Sequence, residues 1–259
     1  MQNRHINRDS YFSEQAYTTE KFVIPFIGKA RFVDSEMHVL EIGSGEGGNM
    51  KPLLDMGCKV TGIEIEATKH AWAIDFFKTH PNRENLSLIC EDIYKYKQKQ
   101  QFQVIIIRDV VEHIHNQERF MTYIRDLLTH DGCIFIAFPP WQNPFGGHQQ
   151  VCENKLLSVL PFFHLLPVWL YKMVLRLGGE KAQKIDALLE IKETGISIER
   201  FKRIIVKTNY TILREVFYFI NPNYEIKFGL KPRVAWKLIS KIPYLRNLFV
   251  TSYYCVLSK

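Results

Sequence analysis

Cysteine is scarce, with five residues in 259, at positions 58, 90, 133, 152 and 255. None forms a C-x-x-C pair or stands at zinc-ligand spacing, which excludes a disulfide framework and a zinc ribbon. Cys58, Cys90 and Cys133 fall in the predicted strands of the first half, where a free thiol acts as a small apolar group. A reducing compartment and no metal site are the expectation. Long apolar runs are missing too. The strongest, residues 160–175, is broken by Pro161, His164, Pro167 and Lys172, and is short of the roughly 20 apolar residues a membrane helix needs. Residues 1–9 carry no apolar core, so no signal peptide is expected there. Internal repeats and low-complexity tracts are absent. Acidic charge is thin in the second half: residues 151–259 hold 18 Lys+Arg against 8 Asp+Glu, while residues 1–150 hold 16 against 19. That basic half is either a solvated surface or a face that meets phosphate, a lipid headgroup or nucleic acid.

What the chain has is glycine concentrated in one place. Val39-Leu40-Glu41-Ile42 reads as a strand and runs into Gly43-Ser44-Gly45-Glu46-Gly47-Gly48, with a helix expected from about Asn49. Glycines there let the backbone take positive φ and approach a ligand closely, and a following helix start offers free N–H groups. The string satisfies G-x-G-x-x-G, which by itself says nucleotide-like cofactor and no more. A second strand, Cys58 onward, ends in Glu64, placed to accept from ribose hydroxyls. A third, Leu86-Ser87-Leu88-Ile89-Cys90, ends in Glu91-Asp92. Phe102-Gln103-Val104-Ile105-Ile106-Ile107 is a near-continuous apolar, β-branched run, the pattern of a strand buried on both faces of a parallel sheet. Arg108-Asp109-Val110-Val111-Glu112-His113-Ile114 follows it. A helix over residues 117–129 and a fifth strand over residues 132–138 complete this part.

These motifs, in order at successive strand ends, resemble the class I S-adenosylmethionine (SAM)-dependent methyltransferase family. The matching residues are Glu41-x-Gly43-x-Gly45-x-Gly47, Glu64, Glu91-Asp92 and Asp109-Val110-Val111-Glu112-His113-Ile114. The last resembles the D-V-x-E-H-[IL] string of the branch that includes ubiquinone and small-molecule O-methyltransferases. The ordered match covers about residues 36–140. Residues 211–220 and 248–257 look like the sixth and seventh strands of this family, an antiparallel pair. The resemblance implies an α/β fold: a Rossmann-like, mostly parallel seven-stranded sheet with an antiparallel last strand, helices on both faces and a helical insertion after strand 5. It implies SAM as cofactor and S-adenosylhomocysteine (SAH) as product. The implied cofactor residues are Glu41, Gly43, Ser44, Gly45 and Gly47 on the methionine side, and Glu64 with Ile65 at the ribose. Asp92 with Ile93 serves the adenine, and Asp109 lies near the methionine amino group or orients substrate. Tyr11 and Tyr17 are implied covers of the cofactor.

The chain divides into an N-terminal segment (1–36, helical around 19–32), a cofactor-binding core (37–138), an insertion (139–197) and a return to the sheet (198–259), all within one domain. The insertion opens with Pro139-Pro140-Trp141-Gln142-Asn143-Pro144-Phe145-Gly146-Gly147-His148. It leaves the carboxyl end of a strand, where open α/β sheets bind ligands, and is the expected wall of an apolar substrate site or a segment lying on a membrane surface. If the methyl acceptor is a hydroxyl, a base has to take its proton, and histidine suits neutral pH. His148 is the preferred base and His113 the second; His164, inside an apolar run, reads as a core histidine. The leading reading is methyl transfer to a small-molecule or lipid-linked acceptor, at oxygen, in the cytoplasm, with peripheral membrane contact left open. An RNA or protein methyltransferase using the basic half, and a non-catalytic SAM-binding protein, are the alternatives. Against nucleic acid, no Asn-Pro-Pro-Tyr string follows the fourth strand and no RNA-binding module is appended. Against an NAD-dependent oxidoreductase stand the two final strands and the acid after the third.

Overall fold

The computed structural model describes residues 7–97 and 101–259; residues 1–6, part of the segment read as lacking a leader, lie outside the described residues. The five apolar runs are strands: His38–Ile42 (β1), Lys59–Glu64 (β2), Leu86–Cys90 (β3), Phe102–Arg108 (β4) and Leu128–Phe138 (β5). Thr211–Ile220 (β6), Arg233–Val234 (β7) and Ser252–Ser258 (β8) follow. They form one sheet in the order β3-β2-β1-β4-β5-β8-β6-β7. β1 to β5 pair in parallel, and β8 runs antiparallel between β5 and β6. The expected architecture is present with one addition, the two-residue β7 on the edge beside β6.

Alternation along the central strands explains the three layers. Val39, Val104, Ile106 and Phe135 are buried on one face; Leu40, Ile42, Ile105, Ile107, Ile134 and Ile136 are buried on the other. Successive side chains of a strand point to opposite faces, so runs apolar at every position need cover on both sides. Each such side chain contributes about 1.5–3 kcal/mol when fully buried. Arg8–Thr18 (α1) and Ile24–Gly28 (α2), joined by one π turn over Thr19–Val23, cover the first face with Phe12, Val23, Phe26 and Ile27. Lys51–Asp55 (α3) adds Leu53 and Leu54, and Ala67–Phe77 (α4) adds Phe77. Gln117–Leu127 (α5) covers the second face with Phe120, Met121 and Ile124.

The insertion leaves and returns through one neck, where Trp141 N–H donates to Ile196 O at 2.9 Å. It contains Lys155–Val159 (α6), Val168–Leu177 (α7) and Ala182–Thr194 (α8), and has a small core of its own around Leu157, Phe163, Tyr171, Leu175 and Leu188. Ile198–Lys207 (α9) then packs Phe201, Ile204 and Ile205 onto the second sheet face, and Asn223–Phe228 (α10) lies against α1. Among the described residues no helix is long and apolar enough to cross a membrane.

Three boundaries differ from the sequence reading. The N-terminal helix starts at Arg8, not near residue 19, because Asn7 caps it by accepting from Ser10 N–H at 3.2 Å. The helix after the glycine loop begins at Lys51, since Asn49 is drawn into a buried network described below. The last strand begins at Ser252 because Leu245–Leu248 forms a 3-10 turn. Within that turn buried Asn247 accepts from Ile198 N–H at 2.9 Å and donates to Glu199.

Candidate active site

Strand order reverses at β1, which pairs β2 on one side and β4 on the other; the crevice at the carboxyl ends of strands beside such a point is where ligands bind. The predicted cofactor residues lie at these ends. Gly43, Gly45 and Gly47 have φ of 71°, 55° and 89°, a region L side chains rarely adopt. Gly43 N–H and Ser44 N–H donate to Ile63 O at 2.8 and 3.1 Å, tying the loop to β2. A Cβ on Gly43 would lie 2.5 Å from Val110, and one on Gly47 would lie 2.5 Å from the Phe77 ring. A Cβ on Gly45 would meet nothing within 4 Å, so that part of the loop faces open space.

Glu64 is buried, with Oε2 accepting from Gly45 N–H and Oε1 from Glu66 N–H, both at 2.8 Å. Each carboxylate oxygen has a second lone pair. Ile65, the next residue, is 71% exposed, an apolar face beside that carboxylate. At the end of β3, Asp92 Oδ1 accepts from Tyr94 N–H at 2.9 Å and caps the 3-10 turn Ile93–Lys95. Ile93, first in the turn, has a buried side chain.

Under the loop lies a polar cluster the sequence reading did not assemble. Asn49 donates to Glu41 Oε1 at 2.7 Å, while Asn49 Oδ1 accepts from Thr19 at 3.0 Å and from Arg108 at 2.8 Å. Glu41 Oε2 is buried without a hydrogen-bond partner. Burial pushes Glu41 up to about 8 although Asn49 and Arg108 pull it down. Asn49 comes from the end of the glycine loop and Arg108 from the end of β4, so no spacing rule joins them.

Asp109 takes φ of 56° and is pinned by its N–H to Ala137 O at 2.8 Å. Three phenols lie close enough to feel its charge, among them Tyr254 beneath it in the sheet. Tyr11 on α1 is pushed up to about 12, by burial first and Asp109 second, and Tyr224 on α10 is raised by the same two causes. Tyr11 is thus placed near Asp109. Tyr17 is not: its hydroxyl donates to Glu225 at 2.6 Å and accepts from Lys21 at 2.7 Å, at the α1–α10 contact. Tyr224 was missed because α10 is short and a separation of 115 positions from Asp109 signals nothing in the sequence.

The two histidines meet. The His113 and His148 rings are edge-on, 5.1 Å between centroids, bringing together the loops after β4 and β5. His148 holds φ of 55°. Its basicity is lowered to about 4 by burial, then by His113 and His164. His113 is solvent-exposed but lies in a crowded concavity, and is also lowered, chiefly by burial. His164 is fully buried, with Nε2 2.8 Å from Trp141 O, a core histidine as expected. A separate surface groove of about 470 Å³ is lined by His115, Asn116, Gln117, Glu118, Arg200, Arg203, Ile204 and Lys207, and includes none of the predicted site residues.

The donors fit a SAM molecule: a buried carboxylate with spare lone pairs for a diol, an exposed apolar face beside it, and an orphaned acid under the glycine loop for a cationic amine. Relatives agree at the level of family. A methyltransferase-domain family matches residues 14–156. The ubiquinone biosynthesis O-methyltransferase of Rhodopseudomonas palustris (strain BisB5) is 26% identical over 105 residues, 40% of this chain and 40% of that protein. The mitochondrial one of Dictyostelium discoideum is 28% identical over 111 residues, 39% of this chain and 35% of that protein. The chain therefore spans about two fifths of the length of the curated relatives it matches. Among solved structures, a putative sarcosine dimethylglycine methyltransferase from Galdieria sulphuraria superposes with TM-score 0.61 at 11% identity, over 92% of this chain and 84% of that one. A geranyl diphosphate methyltransferase in complex with SAM gives 0.58 at 13%, over 93% and 83%; these likenesses concern the fold. With its sheet order, its ordered strand-end motifs and a family match over more than half its length, the chain belongs to the class I SAM-dependent methyltransferases.

Proposed function

We propose that the protein transfers a methyl group from SAM to an oxygen of a small-molecule acceptor. The observation that carries this is the convergence of Asp109, His113 and His148 beside the glycine loop, with the insertion behind them. The naming of the partial relatives as O-methyltransferases supports oxygen as acceptor. In this reading Glu64 accepts from the ribose hydroxyls, Ile65 lies on the adenine, Asp92 accepts from its amino group and Ile93 N–H donates to a ring nitrogen. Ser44 and the three glycines line the methionine. Glu41 and Asp109 meet its amino group. SAM supplies an activated methyl on a sulfonium. The acceptor oxygen gives up its proton to water, forms the O–CH3 bond, and the S–CH3 electron pair returns to sulfur, leaving SAH.

His113 and His148 position the acceptor. Both imidazoles are neutral near pH 7, with lone pairs free to accept, and their lowered basicity makes full proton abstraction by either inefficient. The insertion, residues 139–197, forms the acceptor's wall. Its outer helix α7 exposes Val168, Trp169, Met173 and Leu177 beside Lys172 and Arg176, an amphipathic face suited to an anionic membrane surface and so to a lipid-linked acceptor reached from the cytoplasm. Calorimetric titration of the purified protein with SAH and with NAD tests the cofactor assignment: SAH binds and NAD does not. Binding of NAD with no SAH heat overturns it. Methyl transfer from labelled SAM to a panel of phenols, carboxylates and amines tests the acceptor atom, and transfer only to amines overturns the assignment to oxygen.

A further inference from the structure

Glu112 is the anomaly of the site. The residue is 4% exposed, both carboxyl oxygens are buried, and neither has a hydrogen-bond partner; its own amide is the nearest help it receives. No lysine or arginine among the described residues forms an ion pair with it. Stranding a buried carboxylate costs several kcal/mol, and evolution has cheaper residues for a merely apolar pocket. What does face it is His113 and His148: one donor atom from each of the three residues lies within 4.8 Å of the others. Two of the backbones that build this place are held in left-handed conformations, Asp109 at φ 56° and His148 at φ 55°. Such strain costs about 1–3 kcal/mol for a residue other than glycine and collects at functional positions.

We propose that Glu112, His113 and His148 hold a divalent first-row transition-metal ion, which binds the oxygen acceptor. One carboxylate and two imidazoles are a donor set for zinc, iron, cobalt or manganese, and three protein ligands leave positions open for a substrate oxygen. Donors about 2.1 Å from one ion are at most about 4.2 Å apart, so closing this set takes movement of about 1 Å, within reach of side-chain rotation. The charge also balances. Glu112 and Asp109 are two acids beside two imidazoles, at one end of the sheet. Lys69 and Glu190 also face His113, and Arg108 faces Asp109. None of these cations reaches Glu112, and a dication would.

This deepens the proposed reaction and rests on it. A hydroxyl bound to a divalent ion ionises far more readily than a free one. Its proton passes to water, and no histidine base is required. The ligands are split between a Glu-His pair and a histidine 35 positions later, which is why no local spacing announced a metal.

The test uses the full chain, stripped with chelator, then titrated with Mn2+, Co2+ and Zn2+ by calorimetry, with Co2+ absorption and Mn2+ electron paramagnetic resonance as direct readouts. One ion per chain is expected. E112Q and H148N should each weaken it by at least tenfold, with SAH affinity within about twofold of the parent. E112Q keeps the shape of a buried side chain and removes its charge, and thermal melting reports whether each variant is folded; H113N serves if either is not. No binding at millimolar metal, or binding that the three substitutions leave unchanged, overturns the site. SAH binding is measured separately on the same samples. Metal binding with no SAH binding overturns the methyl-transfer reading while leaving the metal site standing, and SAH binding with no metal does the reverse.

Discussion

Replacing Glu64 separates the cofactor site from the scaffold. In the free protein its two oxygens each accept one backbone N–H, from Gly45 and Glu66, at 2.8 Å. The remaining lone pairs point to the ribose in the proposed site. Glu64→Ala removes both sets. A hydrogen bond to a charged group contributes about 1.5–3 kcal/mol net. Water enters the space left and recovers part of it, so the loss of SAH binding should come to about 1–3 kcal/mol, a factor of roughly 5 to 150 in Kd. Stability should fall less, because Gly45 and Glu66 lie in loops where water can replace the carboxylate; about 1–2 kcal/mol is expected for two backbone donors losing a charged partner. Glu64→Gln is the finer probe. Its amide oxygen can keep one N–H, while its NH2 meets the other donor, so it should lose ribose affinity with less loss of loop order. Calorimetry with SAH gives the affinity, and urea unfolding of the same preparations gives the stability. If Glu64→Ala binds SAH like the parent, the ribose contact lies elsewhere and the assignment of the strand-end acid is wrong. If both quantities fall by the same amount in both variants, Glu64 is a loop anchor and its role toward the cofactor is refuted.

Other outcomes follow from the same geometry. Glu41 is raised to about 8 by burial, so between pH 4.5 and 8 the unfolded chain has lost a proton that the native protein keeps; stability of the cofactor-free protein should fall as pH rises through that window, at up to about 1.4 kcal/mol per unit. Glu41→Gln should flatten that slope in urea titrations from pH 5 to 8, and an unchanged slope refutes the origin. Gly45→Ala should cost only the strain of a positive φ, about 1 kcal/mol, yet weaken SAH, because its Cβ enters the open side of the loop. Gly47→Ala should instead lower the melting temperature, because its Cβ would meet the Phe77 ring at 2.5 Å; equal effects of the two on both readouts would contradict the loop's orientation. Vesicles of anionic lipid should pull the parent down on centrifugation more than Trp169→Glu with Leu177→Glu, and identical sedimentation removes the membrane-contact reading of α7.

Strand-end chemistry was legible in the sequence for a physical reason. Each parallel strand is a short apolar run closed near an acid at the crevice, so position in the chain and position in the crevice coincide: Glu41, Glu64, Asp92 and Asp109 all lie close to where their runs stop. Interior alternation was hidden. Val104-Ile105-Ile106-Ile107 gives no period because both faces are buried, and only the helices on each side reveal which residue faces which. What spacing cannot express was missed. Asn49 and Arg108 share a hydrogen bond across 59 positions, and Tyr224 comes to Asp109 from a six-residue helix. The helix start was misplaced for the same reason, since Asn49, a natural cap by composition, is turned inward to Glu41.

The histidines show how the fold bears on a role read from composition. A histidine in a Pro/Gly loop at the ligand face reads as a base because its ordinary titration lies near neutral pH. The fold changes that premise. Packing His148 against His113 and burying it lowers its basicity to about 4, which removes most of the driving force for taking a proton from a hydroxyl and leaves a lone pair that is free at every pH above about 5. A neutral imidazole of that kind is a good ligand and a good hydrogen-bond acceptor. The same burial acts in the opposite direction on Glu112, which it drives toward the protonated form. One concavity thus holds two imidazoles that stay neutral and one carboxyl that burial keeps protonated, three groups whose donor atoms a cation would draw together by displacing that one proton.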